Sequence, residues 1–362
     1  MTLKPHARIR QDIVAMHAYA IQESKGLIKL DAMENPHRLP ADLQQKLGER
    51  LGQLALNRYP DGRVNDLRAA LADYAGMPAG HDIMLGNGSD ELISLLAMAC
   101  DVPDACILAP MPGFVMYAMS AQLQGLKFVG VDLTADFELD VPAMLSAIAQ
   151  HKPALTYLAY PNNPTANLWE ESAIEQIIAA VADIGGLVVL DEAYQPFSSK
   201  TYLDTLRAKP DLHPHVLLLR TLSKFGLAGV RMGYMLGPKA LIAEIDKVRP
   251  PYNISVLNYE CALFALEHQH IFRAQANDLI AQRAMLFEAF GKLPQVKAFP
   301  SQANMILLRV PDASKTFNGM KTQGVLVKNV SQMHPLLANC LRLTVGTGEE
   351  NQQLITALQS SL

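Results

Sequence analysis

The sequence predicts an α/β protein: a largely parallel sheet covered by helices on both faces, joined to a smaller α+β domain. Helix-like and strand-like patterns alternate between about Asn65 and Gly237, the rhythm of consecutive strand–helix–strand units. The strand-like runs are almost continuously apolar, as strands buried on both faces are. At 362 residues the chain is also too long for one compact core, and its character changes after Pro250-Pro251.

Taken in order, helical spacing appears at 65 to 75, at 89 to 99 with Leu92, Leu95, Leu96 and Met98 on the apolar side, at 140 to 150 and at 170 to 183. Short apolar runs predict strands at 105 to 109, 154 to 159, 186 to 190, 216 to 220 and 232 to 236. Beyond the two prolines, one long helical stretch from about Ile254 to Phe290 leads to short strands near 303 to 309, 325 to 328 and 341 to 345. The domains expected are an N-terminal arm, 1 to 45, that completes the small domain, a large domain over 46 to 252, and a small C-terminal α+β domain over 253 to 362.

Composition narrows the function classes. A net charge of −4 gives no general attraction to nucleic acid or to an anionic membrane. Cys100, Cys106, Cys261 and Cys340 have no metal-ligand spacing and read as reduced thiols, so no metal is expected. The first 26 residues have no uninterrupted apolar segment, and eighteen successive apolar residues occur nowhere, which predicts a soluble, cytoplasmic chain.

The chemistry is concentrated in Thr221-Leu-Ser-Lys-Phe-Gly-Leu-Ala-Gly-Val-Arg-Met-Gly-Tyr234. A lone lysine is ordinarily a solvated cation. Here Lys224 can form a Schiff base with a carbonyl compound, Thr221 and Ser223 can donate to phosphate oxygens, and Arg231 can grip the same dianion. Pyridoxal 5'-phosphate (PLP) needs all three. Asp191 follows the apolar run 186 to 190 and so sits at the carboxyl edge of a strand, where ligands of open α/β sheets bind; a fixed aspartate there can keep the cofactor's ring nitrogen protonated. Tyr194, three residues on, can hydrogen-bond the phenolic oxygen. An apolar strand ending in Asp-Glu also occurs in nucleotide triphosphatases, but Gly86-Asn-Gly-Ser-Asp90 lacks the spacing and lysine of their phosphate loop.

Two more segments fit the same cofactor. Tyr160-Pro-Asn-Asn-Pro-Thr165 follows a strand and offers Asn163 to the phenolic oxygen, although an Asn-Pro turn needs no ligand. Gly86 to Leu92 runs into a helix whose first amides, at Gly88, Ser89 and Asp90, can cradle phosphate, although a serine before acidic residues is equally a plain cap.

With these motifs in order, and a late Leu341-Arg-Leu-Thr-Val-Gly-Thr-Gly-Glu349, the chain resembles the fold-type I PLP-dependent aminotransferases from about Leu30 to its end. Within them Leu30-Asp-Ala-Met-Glu-Asn-Pro36 and Asn57-Arg-Tyr-Pro-Asp-Gly62 are similar to the histidinol-phosphate aminotransferases. The resemblance implies a large domain with a mostly parallel, seven-stranded-type sheet, a homodimer with shared active sites, and transamination between histidinol phosphate and 2-oxoglutarate. It implies that Lys224 is the Schiff-base lysine and proton carrier and that Asp191 pairs with the ring nitrogen. Asn163 and Tyr194 would hold the phenolic oxygen, Ser89, Thr221, Ser223 and Arg231 the phosphate, and Phe114 would stack on the ring. Tyr59 would reach the neighbouring subunit's cofactor, and Arg342, Lys328, Tyr19 and Asn163 would face the substrate. By pattern alone Arg342 is an alternating strand position, usually turned to solvent.

Three residues depart from the family pattern. Ala166 replaces glycine, tolerable if its backbone angle is ordinary. Lys328 replaces arginine, giving a point charge where relatives have a fork. Phe114 keeps the stacking surface of tyrosine without its hydroxyl. The alternatives are an aromatic amino acid aminotransferase, a phosphothreonine decarboxylase, or a non-catalytic PLP-binding sensor; the last normally carries a basic DNA-binding module, which has no counterpart here.

Overall fold

The structure, a computed structural model, describes residues 8–16, 18, 22–60 and 64–362. Tyr19, Asp61 and Gly62 lie outside them.

The chain opens with α1 (Gln11–Val14), β1 (Ile28–Lys29), α2 (Ala41–Gly52) and α3 (Val64–Ala75). Strands and helices then alternate: β2 (His81–Asn87), α4 (Ser89–Ala99), β3 (Cys106–Met111), α5 (Val115–Gln124), β4 (Lys127–Asp132), α6 (Val141–His151), β5 (Leu155–Ala159), α7 (Glu171–Asp183), β6 (Leu187–Asp191), α8 (Leu203–Ala208), β7 (Val216–Thr221), β8 (Met232–Pro238) and α9 (Lys239–Ile245). The remainder comprises α10 (Val256–Glu267), α11 (Gln269–Gly291), β9 (Lys297–Ala298), β10 (Met305–Arg309), α12 (Ala313–Thr322), β11 (Val325–Leu326), β12 (Lys328–Asn329), β13 (Cys340–Thr344) and α13 (Gly348–Ser361).

Seven strands form the main sheet in the order β2-β8-β7-β6-β5-β3-β4. β8 is antiparallel to both its neighbours, and the other ladders are parallel. The alternation of side chains divides the core between the two faces. Ile83, Leu108, Leu158, Val188, Leu190, Val216 and Leu218 pack into one layer with α3, α6 and α7, and Met84, Ile107, Leu155, Tyr157, Val189, Leu217 and Leu219 into the other with α4 and α5. A four-stranded antiparallel sheet, β12-β13-β10-β9, has a core of its own with α12 and α13. The N-terminal arm adds β1 beside β11, in parallel.

Three expectations need correction. The helical stretch from Ile254 to Phe290 is two helices that meet at His268, whose backbone (φ −109°, ψ 26°) leaves the helical region and ends α10. The strand at 325 to 328 is two short strands serving different sheets, β11 beside β1 and β12 beside β13. Met98, assigned to the apolar side of its helix, is 48% exposed, because the buried stripe of α4 runs through Leu92, Ile93, Leu95 and Leu96.

The topology positions the site. Parallel strands β2, β3, β5, β6 and β7 end at one edge, and reversed β8 begins there, so Ser89, Phe114, Asn163, Asp191 and the connection from Thr221 to Arg231 arrive from separate parts of the chain at the same place.

Candidate active site

At that edge a cleft with about 570 Å³ of empty space, part of it open to solvent, is lined by Ser89, Asp90, Phe114, Tyr117, Asn163, Asp191, Tyr194, Thr221, Ser223, Lys224 and Arg231, with Met33 closing one side. All but Tyr117 and Met33 were expected from the sequence.

One end of the cleft is built for an oxyanion. The N-cap of α4 is Gly88, which has no side chain to cap the helix. Toward it converge Arg231, 3.4 Å from Ser223 Oγ and 3.5 Å from Asp90, and the hydroxyl pair Thr221–Ser223 at 3.0 Å. Gly88 (φ 83°) is required twice over: its backbone is left-handed, and a Cβ there would lie 2.5 Å from the Arg231 guanidinium. Gly233 lets β8 pass against the same turn, since a Cβ would collide with the backbone of Gly88 and Ser89.

Asp191, at the tip of β6 and only 5% exposed, lines the same cleft. Tyr117 Oη donates to Oδ2 at 2.7 Å and the Ala193 amide to Oδ1 at 3.0 Å. Burial raises its pKa to about 6, against the opposing effect of those two hydrogen bonds.

Lys224 lines the same cleft and donates to the Ala32 carbonyl at 2.9 Å. Its pKa falls to about 8, chiefly through burial and then through the positive charge of Arg342. Asn163 Nδ2 donates to Tyr194 Oη at 2.9 Å, and its Oδ1 accepts from Arg342 at 2.8 Å. Arg342 also donates to the Asp31 carbonyl at 2.8 Å and is 8% exposed, so the solvent-facing reading of this strand position does not hold. Lys328 stands directly opposite Arg342 across the β12–β13 ladder, half-buried. Tyr59 is away from this cleft, 77% exposed and stacked on Tyr252 at 4.5 Å. Tyr19 lies outside the described residues.

At Ala166 the condition set from the sequence, an ordinary backbone angle, is not met. Its φ is 64° in a fully buried position, so the backbone there is left-handed, a conformation that glycine adopts without strain. Met33 (φ 53°) and Arg231 (φ 55°) are likewise left-handed and line the cleft itself.

The residues fit PLP: a helix start beside an arginine and two hydroxyls for the phosphate, a lysine of lowered pKa for the aldehyde, and a buried carboxylate in the same cleft for the ring nitrogen. Comparisons with known proteins agree. The model of the family "Aminotransferase class I and II" matches residues 25–358. The chain belongs to that family. As a class I and II aminotransferase it has the fold-type I architecture and uses PLP. It is 73% identical to the histidinol-phosphate aminotransferase of Polaromonas naphthalenivorans, over 100% of this chain and 98% of that protein. To the protein of the same name from Methylibium petroleiphilum it is 67% identical, over 98% of this chain and 94% of that one. Among solved structures, the histidinol-phosphate aminotransferase of Sinorhizobium meliloti in complex with pyridoxal-5'-phosphate superposes with a TM-score of 0.84 at 23% identity, covering 98% and 97% of the two chains.

Sequence reasoning missed Tyr117 and the backbone carbonyls of Asp31 and Ala32. Tyr117 had one available signal: it lies three residues after Phe114, in the first turn of a helix that starts at the sheet edge. It also missed the buried pair Arg220–Glu192 at 2.7 Å, in which Thr201 and the Tyr202 amide complete the carboxylate's partners beside the strand ends. No helix among the described residues is long and apolar enough to cross a membrane, and none of their His, Cys, Asp or Glu clusters has the form of a metal site.

Proposed function

We propose that this class I and II aminotransferase moves the amino group of L-histidinol phosphate to 2-oxoglutarate, giving imidazole acetol phosphate and L-glutamate. The observation that carries this reading is the cationic pair Arg342 and Lys328, paired across adjacent strands. Like charges opposite one another in a ladder repel, and a bound anion relieves the repulsion. Both half-reactions bring one: a phosphate on the amino alcohol and a carboxylate on glutamate. The names of the 73% and 67% identical relatives support the same substrate.

When bound, PLP supplies the carbonyl that takes the amino group and the ring that accepts electrons from the substrate carbanion. The protein does the rest. Lys224 Nζ, whose pKa is lowered to about 8 by burial and by Arg342, would hold the aldehyde of PLP and carry the proton between the substrate's α-carbon and the cofactor. Asp191, as a carboxylate, would pair with the ring nitrogen and keep the proton on it. The Asn163 amide and the Tyr194 hydroxyl orient the phenolic oxygen, and Phe114 covers the ring. Gly88, Ser89 and Asp90 amides, with Thr221, Ser223 and Arg231, fix the phosphate, while Arg342, Asn163 and Lys328 receive the substrate anion.

The exposure of Tyr59 supports a homodimer in which this ring serves the neighbouring subunit's phosphate. The large domain spans 46 to 252, and the arm, 1 to 45, joins the small domain of 253 to 362. We place the enzyme in the cytoplasm.

The test is glutamate formation from 2-oxoglutarate with histidinol phosphate, histidinol, aromatic amino acids and O-phosphothreonine as donors. Histidinol phosphate is expected to give the highest kcat/KM. Equal values with and without the phosphate would favour an aromatic aminotransferase, carbon dioxide release from O-phosphothreonine a decarboxylase, and cofactor binding without turnover of any donor a sensor.

A further inference from the structure

Phe114 is the N-cap of α5 and Tyr117 lies in its first turn, so a single helix start supplies both a wall of the cleft and a partner for its buried carboxylate. The Tyr117 ring is 2% exposed, stacked on Tyr157 with centroids 4.3 Å apart and planes 8° from parallel, and met edge-on by Phe114 at 5.6 Å. A ring clamped on two sides fixes the direction of its O–H, which points to Asp191 Oδ2 at 2.7 Å. With the Ala193 amide on Oδ1, each carboxylate oxygen has one neutral donor from the protein.

The other groups acting on Asp191 do not replace that donor. Asp90 and Glu192 raise the cost of its charge, Glu192 itself being bound by Arg220. Tyr194 donates no hydrogen bond to Asp191, and its hydroxyl accepts from Asn163. The Tyr157 hydroxyl is buried without a hydrogen-bond partner among the described residues. Burial favours the neutral acid, and the Tyr117 hydrogen bond opposes it.

We infer that Tyr117 is a positioning residue for the transamination: its hydroxyl orients the Asp191 carboxylate and holds negative charge on it, so that the proton between Asp191 and the cofactor's ring nitrogen stays on nitrogen. This rests on the role proposed above for Asp191. If the hydroxyl is lost, a buried carboxylate oxygen loses its donor, the proton moves toward Asp191, and the ring becomes a poorer electron acceptor.

Tyr117→Phe removes the hydroxyl and keeps the stacking, while Tyr157→Phe removes a hydroxyl with no partner and serves as the control. Each apoprotein is titrated with PLP and then loaded with PLP carrying ¹⁵N in the ring, whose NMR shift reports ring protonation. The parent and Tyr157→Phe should show a protonated nitrogen and Asp191→Asn a deprotonated one. Tyr117→Phe should fall between them, bind PLP about tenfold more weakly, and lose about tenfold in kcat with KM for the donor little changed, as expected for one hydrogen bond to a charged group. A ring nitrogen in Tyr117→Phe identical to the parent's would overturn the inference. An unmoved signal in Asp191→Asn would instead overturn the role of Asp191, so the two failures are distinguishable.

Discussion

Replacing Lys224 by Met should make the apoprotein more stable near neutral pH while abolishing turnover. The folded chain lowers the pKa of Lys224 from 10.5 to about 8, mainly by burial and next by Arg342. The unfolded chain therefore binds more protons than the folded one between those two values, and stability rises with pH across that window. Below pH 8 the full penalty of holding the charged form applies, about 3 kcal/mol at roughly 1.4 kcal/mol per pKa unit. Met fills similar space without charge but leaves the Ala32 carbonyl without the lysine's hydrogen bond, a loss of about 1 kcal/mol, so the net gain should be about 2 kcal/mol at pH 7. Urea unfolding of both apoproteins at pH 7 and at pH 10.5 checks it: the gain should be present at the first and gone at the second. Equal stability at pH 7, or an advantage that grows with pH, would refute the argument that this lysine is held in an unfavourable charged state for the sake of its chemistry.

Arg342→Ala should reduce kcat/KM for histidinol phosphate and for glutamate alike, by roughly 10²- to 10⁴-fold if two charge-assisted hydrogen bonds are lost; a loss confined to one half-reaction would show that two groups share the task. The same substitution removes a charge that lowers the Lys224 pKa, so the lysine should titrate at higher pH in the apoprotein, as followed by pH-dependent chemical labelling. For Tyr59, mixing Lys224→Ala with a strongly impaired Tyr59→Ala should restore activity once subunit exchange is demonstrated by mass spectrometry, because each mixed dimer then holds one site with neither mutation. No gain above the Tyr59→Ala background after exchange would place Tyr59 in its own subunit's site or outside any site.

What was legible in the sequence was whatever depends on order along the chain. The strand runs ending at Asp191 and Thr221 are uniformly apolar because both faces are buried, and their ends carry polar residues because the ends meet at a cleft. What stayed hidden depends on partners distant in sequence. The edge strands β2 and β4 mix polar and apolar residues, and β8 runs against its neighbours, which no local pattern records. Helix α2 buries only Leu43, too narrow a stripe to detect, and α5 has no charged residues to mark an outer face. Arg342 looked like a surface position because alternation says which face a side chain shares, not what covers that face; here Asn163 and the Asp31 carbonyl do. At Ala166 no residue type announces the backbone angle, and the fold sets a left-handed one.

Borohydride reduction of the PLP-loaded enzyme, followed by digestion and peptide mass mapping, tests the central claim most directly, since it fixes the cofactor to whichever amine holds it. The account predicts a pyridoxyl group on Lys224 alone and none after Lys224→Met. A stable label on any other lysine, with Lys224 unmodified, would contradict it.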